Sequence, residues 1–120
     1  MQNNHTRIKV FPIGQVTMVE LADPEILDEG AISEIAGALM ELVDVNPTIQ
    51  LLLNFHRVQH LSSSALGILI RLNKRIEEQG GSLKLCRIRR PLQEIFEITN
   101  LVKIFDIFED ENTALNSFGQ

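Results

Sequence analysis

Apolar and polar positions along the chain change period repeatedly, and each change marks an element. Residues 7–11 (RIKVF) alternate charged and apolar side chains, the period of a half-buried strand. Pro12-Ile13-Gly14 is a turn signal, and residues 15–21 (QVTMVEL) resume strand character. The two predict a short antiparallel pair, closed by Asp23-Pro24. Over 28–44, Ile32, Ile35, Ala36, Leu39 and Val43 recur at helical spacing, and Asn46-Pro47 ends the run. Gly37 inside it weakens the helix by up to about 1 kcal/mol against Ala without breaking the period. Residues 48–55 (TIQLLLNF) are almost continuously apolar, as in a strand covered on both faces.

After a loop at 56–62, a second helix opens at Ser63 or Ser64 and runs to about Gln79. Leu66, Leu69, Leu72 and Ile76 share its face, broadened by Ala65, Ile68 and Ile70, and Gly80-Gly81 stops it. Residues 82–88 (SLKLCRI) alternate again, with Leu83 and Leu85 on one side and Cys86 in the opposite phase. Pro91 suits the first position of a third helix over 91–99, with Leu92, Ile95, Phe96 and Thr99 inward. Residues 103–108 (KIFDIF) read as a last strand, and 110–118 as a terminal helix capped by Asp110, with Ala114, Leu115 and Phe118 inward. Strands alternating with helices predict an α/β fold: a central mixed sheet of four to five strands, parallel in its middle, with about four helices.

The 120 residues fit a single domain spanning 1–120, with a core over about 7–118. With no Trp, no Tyr and 6 Phe, that core is built mostly from Leu, Ile and Val. A formal net charge of -5 and few aromatic platforms argue against a general nucleic-acid binder. The single Cys86 excludes an intrachain disulfide and a thiolate zinc cluster within one chain. The start, MQNNHTRIKVF, lacks the apolar core of a secretion signal, and no apolar run approaches the roughly 18–20 residues of a membrane span. A cytoplasmic protein without membrane insertion is expected.

Candidate chemistry is sparse. His56 and His60 stand four apart, but in a strand-to-helix loop with no third ligand nearby, so no metal site is expected. Lys84, Arg87, Arg89 and Arg90 form a basic cluster that suits either an anion or a solvated sheet rim. Glu109-Asp110-Glu111 is explained by the dipole of the helix it precedes. Cys86 reads as a packed small side chain rather than a nucleophile. The informative stretch runs from Leu51 to Ile70, where a buried strand and a short loop lead into three serines, Ser62, Ser63 and Ser64, at a helix start. One serine suffices as the N-cap, which leaves at least one hydroxyl without a structural task. A hydroxyl at the positive end of a helix also carries a phosphoryl group well.

This stretch resembles the STAS family, the sulfate-transporter and anti-sigma-factor-antagonist domains. The family pattern is an apolar strand, a loop, then Asp-Ser-Ser-Gly-Leu-Gly at a helix start, where this chain has Ser62-Ser63-Ser64-Ala65-Leu66-Gly67. The resemblance runs from Val16 to Phe118 and takes in Gly80-Gly81, the helix opening at Pro91, and Thr99-Asn100-Leu101. It implies a STAS-like domain of the bacterial anti-sigma factor antagonist type, a non-enzymatic module without cofactor. Its implied partners are an anti-sigma factor that is also a serine kinase of the histidine-kinase-like ATPase type, and a PP2C-type phosphatase. Homo-oligomerisation stays open. By position, the phosphorylated residue would be Ser63. Asn54, His56, Arg57, Leu61, Ser62, Ser64, Arg71 and Arg75 are expected near the docking surface.

Two positions depart from the pattern. Ser62 replaces the family Asp, losing a carboxylate that could organise the loop and also its repulsion of a neighbouring phosphate. Ala65 replaces the first family Gly and adds a methyl group. Two other readings stand beside the switch. One is a STAS scaffold or subunit of a transport or signalling complex, without phosphorylation. The other is a serine-nucleophile enzyme, for which neither His56 nor His60 has an orienting carboxylate close in sequence.

Overall fold

The computed structural model describes residues 7–118. The first two strands, β1 (Ile8–Ile13) and β2 (Val16–Leu21), form an antiparallel hairpin whose turn is Gly14-Gln15 alone. Gly14 has φ 61, as the first central position of a type II′ turn requires. The expected turn at Pro12 is therefore displaced: Pro12 and Ile13 stay in the strand. A proline is tolerated there because β1 is an edge strand.

The chain continues through β3 (Glu25–Ile26), α1 (Glu29–Val45), β4 (Gln50–Asn54), β5 (His60–Leu61), α2 (Ser63–Glu78) and β6 (Ser82–Cys86). Then follow α3 (Arg90–Ile98), a 3₁₀ turn (Leu101–Lys103), β7 (Asp106–Phe108) and α4 (Glu111–Phe118). The main sheet has the order β1-β2-β4-β6-β7, parallel throughout except for the hairpin. Among the described residues, a single α/β domain with a mixed five-stranded sheet and four helices matches the expectation.

Alternation sorts the core into two layers. Leu51, Leu53, Leu83 and Leu85 meet Ile32, Ile35, Leu39, Leu69, Leu72, Ile76, Leu92 and Phe96, so α1, α2 and α3 cover one face. Leu52 and Cys86 point the other way and pack with Ala114, Leu115 and Phe118 of α4. Lys84, on that same second face, donates to the Ser117 hydroxyl (2.9 Å) and carbonyl (3.2 Å). Its ammonium also lies over the rings of Phe108 and Phe118, 5.5 and 4.9 Å from their centroids. Lys84 thus leaves the expected basic cluster and fastens α4. Asp110 caps that helix, its Oδ1 accepting from the Thr113 N–H at 2.8 Å.

Three expectations need correction. In α3 only Leu92 and Phe96 are buried, while Ile95 and Thr99 are exposed, because nine residues offer little more than one inward stripe. Residues 103–105 are not strand: Asn100 adopts a left-handed φ of 63 after α3, and the 3₁₀ turn brings Phe105 edge-to-face against Phe96 at 5.9 Å. The loop at 56–62 contains β5, which pairs with β3 in a two-stranded parallel sheet.

Candidate functional site

Parallel strands deliver their following loops to one edge of the sheet, so the starts of α1 and α2 lie there together. The loop after Asn54 is held before it reaches the helix. Phe55 and Val58 are fully buried. The N–H groups of Gln59 and His60 donate to the Pro24 carbonyl at 2.7 and 3.1 Å, and the Ser62 N–H donates to the Ile26 carbonyl at 3.1 Å. Leu61, half-buried, packs against the core from this small sheet.

The three serines then divide. Ser62 is the N-cap of α2: its backbone is extended (φ -83, ψ 168) and its Oγ accepts from the Ala65 N–H at 3.1 Å. Ser63 and Ser64 occupy the first two helical positions, both exposed. Among the described residues, neither hydroxyl makes a hydrogen bond. The hydroxyl of Ser62 thus does the loop-ordering that a carboxylate would do at this position. Ala65 is 6% exposed and faces the core, so its methyl group stays away from the serine surface.

A groove of about 590 Å³ separates the first turns of α1 and α2. Ser63, Ser64, Gly67 and Arg71 line one wall, and Glu29, Ser33 and Ala36 the other. Neither Glu29 nor Gly67 was singled out from sequence; Glu29 carries no signal there, and Gly67 figures only as a letter of the family pattern. Arg75, a turn beyond Arg71, is held by Asp44 of α1 at 2.7 Å. Both ends of that pair are about half exposed, and such pairs are worth roughly 0.2–1 kcal/mol.

The other expected residues gather on the far side of the sheet edge. Asn54 follows Leu52 in phase and points toward α4. It is fully buried, its Oδ1 accepting from the His56 N–H at 2.9 Å and its Nδ2 donating to Glu111. Asn54 is therefore not part of a docking surface: both of its polar ends are used internally. His56 Nε2 lies 2.6 Å from Glu20 Oε2, and Arg57 Nε is 3.7 Å from the other oxygen of Glu20. Arg89 donates to the His56 carbonyl at 2.9 Å. The expected single surface thus resolves into two groups: Leu61, the serines and Arg71 over the α1–α2 face, and His56 and Arg57 with Glu20 at the α4 side.

Cys86 and Asp110 have structural roles, whereas Arg87 and Arg90 of the expected basic cluster make no side-chain hydrogen bond or salt bridge among the described residues. Burial pushes the Cys86 thiol up to about 12, with Glu111 adding to the effect, so the nucleophilic thiolate is suppressed. The backbone N–H of Thr113 lowers the pKa of Asp110, as a helix cap should. Among the described residues no cluster of His, Cys, Asp or Glu is arranged to hold a metal ion. No helix there is long and apolar enough to cross a membrane.

A mixed sheet with three helices on one face, a fourth on the other and a self-capped serine run at one edge defines a small α/β module with its candidate site on a helix start. The family is settled by comparison: the model for the STAS domain matches residues 8–114, and the chain belongs to that family. It is 29% identical over 65 residues to the anti-sigma F factor antagonist of Paenibacillus polymyxa, covering 54% of this chain and 56% of that protein. It is 40% identical over 50 residues to the anti-sigma-B factor antagonist of Bacillus subtilis strain 168, covering 42% and 46%. The chain thus spans about half the length of the curated relatives it matches. In fold it is similar to a STAS domain protein from Planctomyces limnophilus, with a TM-score of 0.81 and 22% identity over 92% of this chain and 95% of that one.

Proposed function

We propose that the chain is an anti-sigma factor antagonist-like regulatory module, a binding protein rather than an enzyme, acting in the cytoplasm. It docks an anti-sigma factor with serine-kinase activity, of the histidine-kinase-like ATPase type, through the start of α2 and the groove beside α1. Phosphorylation of Ser63 releases it, and a PP2C-type phosphatase restores it. The observation that carries this reading is the division of the serines: Ser62 holds the helix end, so the exposed Ser63 hydroxyl can be modified without uncapping α2. The names of the relatives support the class of partner.

The switch follows from charge. Phosphorylation adds about -1.5 to -2 at neutral pH. On a wall of the groove that charge must be desolvated on docking or meet a group that suits a hydroxyl. Each 1.4 kcal/mol of mismatch weakens binding tenfold. The test mixes purified protein with its cognate kinase and ATP and maps the phosphate by mass spectrometry. Incorporation at Ser63, lost in Ser63→Ala, together with at least tenfold weaker partner binding in the phosphorylated form, is expected. No incorporation, with unchanged affinity in Ser63→Asp, would leave the scaffold reading in its place.

A further inference from the structure

We propose that Arg71 is the chain's own receptor for the phosphoryl group on Ser63, so that phosphorylation closes an intrachain clamp across Gly67. The inference rests on Ser63 as the modified residue and adds what that modification would do inside the molecule.

The geometry begins with Gly67. A Cβ built there would lie 3.9 Å from Arg71 Nη1, ordinary van der Waals range, so the guanidinium is folded back along the helix to lie beside Gly67. Helical side chains lean toward the N-terminus, which favours this direction. Ser63 is four residues before Gly67, where Cβ positions are about 5–6 Å apart. The Arg71 head thus lies about one turn from Ser63, a gap to be spanned by the length of a phosphoryl group and a turn about the Ser63 Cα–Cβ bond. Ser63, Gly67 and Arg71 also line the same groove wall.

The Arg71 guanidinium is uncommitted. Among the described residues it makes no hydrogen bond and no salt bridge, a state it shares with Arg87 and Arg90, whereas Arg7 is held by Asp23 and Glu34, Arg75 by Asp44, and Arg57 lies 3.7 Å from Glu20. A planar guanidinium matches phosphate oxygens two at a time, a geometry no neutral hydroxyl can use. Arg71 therefore gains a partner only when the serine is phosphorylated. The surface change is then double: a dianion appears at Ser63, and a cation that had been open to a partner is drawn onto it. Glu29 is the acidic group on the opposite wall of the groove.

The experiment installs phosphoserine at position 63 by genetic encoding, so it does not depend on any kinase. The second ionisation of the phosphate is followed by ³¹P NMR in otherwise unaltered protein and in Arg71→Ala, Arg71→Lys and Arg75→Ala. A nearby cation favours the dianion, so the phosphate titrates below its ordinary pKa of about 6. Arg71→Ala is expected to raise that midpoint by about half a unit to one unit, Arg71→Lys to restore part of the shift, and Arg75→Ala to leave it unchanged. Far-UV circular dichroism confirms that α2 is intact in each. Superimposable titrations in the parent and Arg71→Ala overturn the clamp. So does a response to Arg71 confined to phosphoserine encoded at Ser64. Failure of a kinase to modify Ser63 bears on the proposed function and leaves these titrations unaffected.

Discussion

Removing the Ser62 hydroxyl tests the assignment on which the site depends. In Ser62→Ala the Ala65 N–H loses its acceptor at 3.1 Å, while the helix and its burial stay in place. N-cap replacements of this kind cost about 1 kcal/mol, within a range of roughly 0.5–2. With a urea m-value of about 2 kcal/mol/M, the midpoint falls by about 0.5 M at unchanged slope. Ser63→Ala removes a hydroxyl that is exposed and holds nothing among the described residues, so its effect stays within about 0.5 kcal/mol. Ser62→Asp keeps an acceptor at the cap and adds a charge the helix dipole favours, so it matches or exceeds the parent stability. Urea unfolding followed by circular dichroism ranks the three variants. If Ser63→Ala loses about 1 kcal/mol and Ser62→Ala does not, the capping hydroxyl is Ser63, and its phosphorylation would have to uncap α2.

Other regions give independent tests. Gly81→Ala places a Cβ 2.5 Å from the Ile49 carbonyl oxygen, a backbone atom that cannot swing away; a loss above about 2 kcal/mol by chemical denaturation is expected. Lys84→Met takes the ammonium off Phe108, Phe118 and Ser117, with an expected loss of about 1–2 kcal/mol and faster hydrogen exchange in α4; unchanged exchange would show that the helix is fastened otherwise. Cys86, whose thiol burial holds near 12 against an ordinary 9.0, stays unreactive to a thiol reagent at pH 8 until the protein is unfolded. Because the folded-state value is the higher one, stability is intact below about pH 9 and falls toward pH 12, by up to about 1.4 kcal/mol per unit. In Cys86→Ala the decline over that window is shallower.

Much of this architecture could be read from apolar spacing because the long elements each bury one stripe or both faces. The doubly covered β4 is the clearest case. In α2, Ala65, Leu69, Leu72 and Ile76 are buried as expected, while Ile70, expected on the same face, is exposed and Asn73 is buried instead. Cys86 fell on the correct face by parity alone. The errors lie where local pattern gives way to distant contacts. Strands β3 and β5 are two residues each and have no period; they exist because the Pro24–Ile26 segment meets residues 59–62. The KIFDIF run looks like strand, yet the left-handed Asn100 commits its beginning to a 3₁₀ turn. In the site, the serine run was plain but its division was not, since the cap is fixed by the Ser62 backbone and its reach to Ala65. Asn54 was misplaced for a similar reason: its partner, Glu111, lies 57 residues away.

The two departures from the family pattern gain a physical meaning from this arrangement. A cap must supply one acceptor oxygen, and Ser62 does so with a hydroxyl in place of a carboxylate. Under the proposed switch, a phosphoryl group on Ser63 would stand beside one negative charge fewer than the family pattern gives, and attraction to Arg71 would meet less competition. Ala65 turns its methyl group into the core between α1 and α2, where it adds apolar burial and leaves the outer wall of the groove unaltered. At Gly67 the family glycine is kept, and Arg71 Nη1 lies 3.9 Å from where a Cβ would stand. Loss of the carboxylate lowers the local negative charge beside the groove wall along which Arg71 lies folded back next to Gly67.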